Sequence, residues 1–113
     1  MYTIIKEFEI SAAHKLNLDY PSDCSNLHGH NWRIKVFCRS KELDENGMVI
    51  DFIKIKELVQ NKLNHKYLNE VLNCNPTAEN IAKWIVDTVP FCYKAVLEEA
   101  QGSIAIYEKD VQD

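Results

Sequence analysis

The chain is poor in the features that mark several large protein classes. Nowhere does it hold a run of about 18 apolar residues, so no helical membrane span is expected. Basic residues do not dominate: 13 Lys and Arg stand against 17 Asp and Glu, and the net charge of −4 lacks the basic footprint of a nucleic-acid binder. The four cysteines, at 24, 38, 74 and 92, form no close pair. The opening Met1-Tyr2-Thr3-Ile4-Ile5-Lys6 does not have the shape of a signal peptide. They are therefore read as reduced thiols of a cytoplasmic protein rather than as a disulfide framework. No internal repeat, low-complexity segment or linker breaks the chain, and 113 residues predict a single domain over 1–113. Histidine is scarce as well, with only four.

Against that scarcity, Cys24-Ser25-Asn26-Leu27-His28-Gly29-His30 puts a thiol and two imidazoles side by side. In an extended strand, residues two apart point to the same face, about 6.6 Å apart along the chain. Gly29 between them leaves room for a bend or a close approach. Trp32, Ile34, Val36 and Cys38 share the histidine parity, whereas Asn31, Arg33, Lys35 and Arg39 take the other. The two rings thus lie at one end of a buried face.

Alternation over 3–13 predicts a first strand with Ile4, Phe8, Ile10 and Ala12 inward and Lys6 as the exception; His14 leaves its end on the same parity. A second strand spans about 29–39. Asn46-Gly47 marks a turn, and Asp51 caps a helix over 52–63 with Ile55, Leu58, Val59 and Leu63 on one stripe. A long loop runs from Asn64 to Pro76. Thr77 caps a second helix over 78–89, with Ala78, Ile81, Ala82, Ile85 and Val89 inward. Strands over 93–99 and 103–109 flank a turn at Gln101-Gly102. The order ββααββ predicts an α+β fold with an antiparallel sheet and two helices on one face. Two helices cover one face only, so the edge strands need cover from elsewhere, and self-association through those edges would supply it.

His14, His28 and His30 make three nitrogen donors with an open fourth position, the coordination of a catalytic zinc site. Cys24 has three readings: a fourth ligand closing a structural site, an inert buried thiol, or a base or nucleophile activated by a nearby cation. Inert burial is expected for Cys38, Cys74 and Cys92. His65, just past the first helix, either caps its C-terminus or pairs with a thiol in proton transfer. Of the adjacent Glu98 and Glu99, one must face inward on a regular strand. A guanidinium or an aminopyrimidine amide would satisfy it. Glu79, in the first turn of the second helix, is favoured there by the dipole alone.

Several motifs run in order along the whole chain: Phe8…Ala12-Ala13-His14, Cys24-x-x-x-His28-Gly29-His30, Gly47-Met48-Val49-Ile50-Asp51-Phe52, His65-Lys66-Tyr67-Leu68-Asn69, Asn75-Pro76-Thr77-x-Glu79-Asn80, and Glu99 with Tyr107. Together they resemble the 6-pyruvoyltetrahydropterin synthase family, most of all its bacterial branch, the 6-carboxy-5,6,7,8-tetrahydropterin synthases of queuosine biosynthesis. The resemblance implies the tunnelling fold, with subunits joined edge to edge into a trimeric barrel and two barrels stacked into a homohexamer. It implies Zn2+ on His14, His28 and His30, Cys24 as catalytic base, His65 in the proton relay, and Glu99 as pterin anchor and relay member, in sites at subunit interfaces. Glu79 is a weaker substrate-binding candidate. The substrate implied is 7,8-dihydroneopterin triphosphate, and the products are acetaldehyde, triphosphate and the 6-carboxy pterin.

Two positions depart from the family pattern. Asn64 stands where relatives have Asp before the relay histidine, and Ala100 where they have Thr. Rival expectations follow: elimination of triphosphate alone, or a zinc- and pterin-binding member with impaired catalysis. A branch that yields 6-hydroxymethyldihydropterin carries Glu just before His-Gly-His. Leu27 in that position counts against it.

Overall fold

The structure, a computed structural model, describes residues 1–110. Residues 111–113 of the expected 1–113 domain lie outside the described residues. Two long strands, β1 (Tyr2–His14) and β2 (His28–Ser40), pair antiparallel along their full length. The register sets Ile10 opposite Trp32, Ala12 opposite His30 and His14 opposite His28. Residues directly opposite in an antiparallel pair point to the same face, so the even positions of both strands form one buried row. Trp32, Ile34, Val36 and Cys38 are at most 1% exposed.

α1 (Phe52–Ile55) starts where Asp51 Oδ1 accepts the Ile53 N–H at 2.9 Å. It passes through a π-helical stretch (Lys56–Gln60) into α2 (Asn61–Leu63), so the helix expected over 52–63 is present over those residues, with wider turns in its middle. Ile55, Val59 and Leu63 still reach the core, and Leu58 packs against it. The expected loop 64–76 holds a further short helix, α3 (Leu68–Val71), because Leu68 and the following Leu72 form an apolar pair at i, i+4 and both are buried. α4 (Ala78–Thr88) is capped by Thr77 Oγ1, which accepts the Asn80 N–H at 3.1 Å. Ala78, Ile81, Ala82, Ile85 and Val89 are inward as expected, with Val86 added.

β3 (Cys92–Ala100) and β4 (Ser103–Glu108) meet through the turn at Gly102, whose φ of +86° glycine adopts without strain. The sheet order is β1-β2-β3-β4, every pair antiparallel. The α+β expectation and its ββααββ order hold, α3 being the addition. Bulges interrupt β3 near both ends, at Tyr93 and at Glu99. Between them the odd residues Ala95 and Leu97 are buried; beyond the first bulge the parity changes and Cys92 turns inward.

β3 pairs with β2 only along Arg33–Cys38, so the end of β2 carrying His28 and His30 runs on past the last pair. The edge of β1 is not uniformly open. Near its C-terminal end the chain's own 64–67 segment lies against it: His65 N–H donates to Ser11 O at 2.7 Å and Ala13 N–H to Lys66 O at 3.0 Å. The outer face of the sheet carries exposed Ile5, Ile104 and Ile106 beside ion pairs of Glu7 with Lys35 and Glu9 with Arg33.

Candidate metal centre and active site

The two strand ends bring three of the four histidines together. Ring centroids lie 4.6 Å apart for His14 and His28, 5.2 Å for His14 and His30, and 4.8 Å for His28 and His30. Trp32 closes the inner side, its ring edge-on to His14 and His30 at 4.9 and 5.3 Å. Its indole N–H donates to Ala12 O at 3.3 Å, which fixes the ring.

Backbone carbonyls orient two of the imidazoles. His14 Nδ1 lies 2.8 Å from Pro76 O, and His28 Nδ1 lies 2.7 Å from Asn26 O. A carbonyl only accepts, so in each ring the proton sits on Nδ1 and the Nε2 lone pair is free. Burial pushes the His14 pKa below its usual value; the Pro76 carbonyl opposes this, and His28 adds to it. The neutral imidazole, the form that binds metals, is therefore favoured.

Glu99 joins the cluster from β3. The bulge leaves it without a partner on β4 and aims its carboxylate at the histidines. Oε1 lies 2.9 Å from His30 Nε2 and 3.8 Å from His14 Nε2. Neither contact has hydrogen-bond geometry: both nitrogens are buried without a partner. Buried polar atoms rarely stay unsatisfied. Ligand atoms around a tetrahedral zinc ion stand about 3.3 Å apart, which the 2.9 and 3.8 Å separations bracket. One donor atom from each of His14, His28, His30 and Glu99 falls within 4.8 Å of the others. The four residues fit a metal ion.

The other sequence candidates fall around this cluster. Cys24 sits half-buried in a 3-10 turn (Asp23–Ser25) and is not in the group of four donors. The fourth member of the cluster is Glu99 rather than the thiol. His65 has a φ of +62°, a left-handed conformation uncommon for a residue with a side chain. It lines a shallow depression with Ser11, Gly29, Asn31 and Tyr67. Among the described residues no hydrogen bond joins Cys24, His65 and Glu99 side chain to side chain. Glu79 and Glu99 line one small cavity together with Ser103 and Ala105.

Three expectations need correction. Cys74 is exposed rather than buried, because it lies in the turn after α3, outside the core; Cys38 and Cys92 are buried as expected. Gly29 is an ordinary strand residue: an added Cβ would meet only Ala12 O, at 3.7 Å, so no bend requires glycine. Asn64 has a partner the sequence did not suggest, its Oδ1 accepting the Ser11 N–H at 3.0 Å. The carbonyls of Pro76 and Asn26 were also missed, since any residue offers a carbonyl and no side-chain type announces one.

Comparison with known proteins places the arrangement. A family model described as 6-pyruvoyl tetrahydropterin synthase matches residues 3–111. A 6-carboxy-5,6,7,8-tetrahydropterin synthase of Synechocystis sp. is 44% identical over 94 residues, covering 75% of this chain and 72% of the relative. A dihydroneopterin monophosphate aldolase of Pyrococcus furiosus is 34% identical over 89 residues, covering 76% and 73%. The solved structure of Caenorhabditis elegans 6-pyruvoyl tetrahydropterin synthase superposes with a TM-score of 0.73 at 29% identity, covering 96% of each chain.

Proposed function

The chain belongs to the 6-pyruvoyl tetrahydropterin synthase family and has its tunnelling fold, and on that premise we propose that it is the zinc-dependent lyase converting 7,8-dihydroneopterin triphosphate to 6-carboxy-5,6,7,8-tetrahydropterin, with release of acetaldehyde and triphosphate. The observation that carries this reading is the pair of buried, unpartnered Nε2 atoms of His14 and His30 beside His28, in a chain similar to the Synechocystis synthase.

His14, His28 and His30 would hold Zn2+, which supplies Lewis-acid polarisation of a substrate oxygen. The His14 and His28 rings are kept in the ligating tautomer by the Pro76 and Asn26 carbonyls. The Cys24 thiolate removes the proton from the side-chain carbon beside that oxygen. His65 passes the proton on. Glu99 takes the aminopyrimidine edge of the pterin, with Glu79 on the wall of the same cavity. No hydrogen bond links Cys24 to His65 among the described residues of one chain, which supports a site completed by a neighbouring copy. The assembly proposed is a homohexamer, a dimer of trimers, with exposed Ile104 and Ile106 at the β4 edge available for contact. The location proposed is cytoplasmic; among the described residues no helix is long and apolar enough to cross a membrane.

A second reading is a zinc- and pterin-binding member with impaired catalysis. The engagement of Asn64 with Ser11 rather than with the His65 ring favours it. Incubating zinc-loaded protein with dihydroneopterin triphosphate separates the two. The expected result is the 6-carboxy product with acetaldehyde. A 6-pyruvoyl product without acetaldehyde would assign the elimination reaction alone, and bound pterin without turnover would sink the enzyme reading. Cys24→Ala should reduce turnover by about 10²–10⁴-fold at unchanged zinc content; loss of zinc would make Cys24 a ligand.

A further inference from the structure

The segment that follows β1 is held by Asn69 and Asn75, members of two of the motifs whose roles the site described above does not use. Lys15 N–H donates to Asn69 Oδ1 at 3.0 Å, and Asn69 Nδ2 donates back to Lys15 O at 2.8 Å. Two residues on, Asn17 N–H donates to Asn75 Oδ1 at 2.9 Å, and Asn75 Nδ2 donates to Asn17 O at 3.1 Å. Each amide thus satisfies both main-chain groups of one residue, as the opposite residue of a hydrogen-bonded antiparallel pair would. Because alternate residues of an extended chain present their N–H and C=O to the same side, Lys15 and Asn17 share one edge. That edge continues the one on which Ser11 N–H meets Asn64 Oδ1 and Ala13 N–H meets Lys66 O. Asn64, Asn69 and Asn75 therefore act as a surrogate strand made largely of side chains along residues 11–17.

Leu16 faces the other way. Its N–H donates to Cys24 O at 2.8 Å. The strap 15–17, which begins directly after His14, is thus gripped by two asparagines on one edge and grips Cys24 on the other; Asn75 directly precedes Pro76, whose carbonyl orients His14. The backbone of Cys24 itself has one further anchor, its N–H on Ser22 Oγ at 3.1 Å.

We propose that Asn69 and Asn75 are positioning residues for Cys24, acting through the strap Lys15–Asn17. The proposal rests on the reading of Cys24 as the catalytic base only where turnover is measured; the placement of the thiol is testable without substrate. Only an amide can do this work. A carboxylate at either position keeps the acceptor but sets a second oxygen against the Lys15 or Asn17 carbonyl, so the two-point grip becomes one bond and one repulsion.

The test uses full-length protein carrying Cys74→Ser, so that Cys24 is the only thiol outside the core. Iodoacetamide alkylation of Cys24 is followed against pH, alongside zinc content, kcat and KM. Asn69→Asp and Asn75→Asp should each change the alkylation rate at neutral pH by about threefold or more and move the pH of half-maximal rate. They should also lower kcat by about 10–100-fold at unchanged zinc content. Asn73→Asp adds the same charge next to this segment without a bond to the strap, and should match the parent. Should the Asp variants not fold, Asn69→Ala and Asn75→Ala are read the same way. Alkylation profiles identical to the parent in both variants would overturn the proposal, as would an equal change in Asn73→Asp. A parent protein without turnover but with shifted profiles in the variants would remove the catalytic reading and leave the positioning role standing.

Discussion

The buried row of β1 and β2 ends in opposite ways at its two ends. At one end stand His14, His28 and His30; at the other, Cys38 faces Cys92 across β2 and β3. Both ends are built by the same strands on the same face, and each holds a fully buried member: His14 and Cys38 are each 0% exposed, while His28 and His30 are half-buried. Both lie beside a bulge of β3. They differ in whether the polar atoms are satisfied. The thiols have each other, and Cys92 Sγ also donates to Lys94 O at 3.5 Å. The hydrogen bond with Cys92, and burial after it, push the Cys38 pKa up, which leaves that thiol protonated and inert. The imidazoles instead keep lone pairs aimed at a common point. Burial of a titratable group does not distinguish a site from a core; an unmet coordination demand does.

The sharpest way to break the contrast is at the histidine end. His28→Ala should lose bound zinc by more than the roughly 10–100-fold that removal of an outer partner costs. Full metal occupancy in that variant, by elemental analysis, would show that the cluster is not the metal site. Between the two ends, Trp32→Ala removes the wall shared by core and site. It should cost about 3–5 kcal/mol in denaturant unfolding, and a loss below 1 kcal/mol would mean that the ring is not packed as described.

At the thiol end, Cys38→Ala should cost about 1–2 kcal/mol and leave zinc affinity at the parent value. A change in metal binding would couple two ends that the structure keeps apart. The smallest effect is expected from Asn64→Asp. The carboxylate still accepts the Ser11 N–H, so stability should move by less than about 1 kcal/mol. Turnover should rise by no more than about tenfold, because the side chain is already engaged with the strand edge. A much larger gain would show that a carboxylate at this position acts on His65 despite that bond.

Most of this contrast was legible in the sequence. Alternation with His14, His28 and His30 on the buried parity, Lys6 being the exception, places three rings on one face, since register in a half-buried strand is set by that parity. An inward acid at Glu98 or Glu99 was legible, and the family resemblance chose Glu99, but its arrival beside the imidazoles was not, because it depends on an unpaired residue in β3. The grip of Asn69 and Asn75 on the strap was invisible for another reason. Each contact spans more than 50 residues of chain between a side chain and main-chain groups that every residue possesses. Helix α3 escaped notice because four residues give no periodicity to read.

The extra residue at Glu99 also sets a limit on how this hairpin can vary. Removing one position between Leu97 and Ser103 would restore an unbroken ladder between β3 and β4, an arrangement with more main-chain pairing than the present one. It would also leave no carboxylate aimed at the imidazoles. Hairpin length is therefore fixed here by the chemistry at its base. Shortened variants are expected to be sturdier proteins with an emptied pocket, and insertions at the tip around Gly102 to be tolerated.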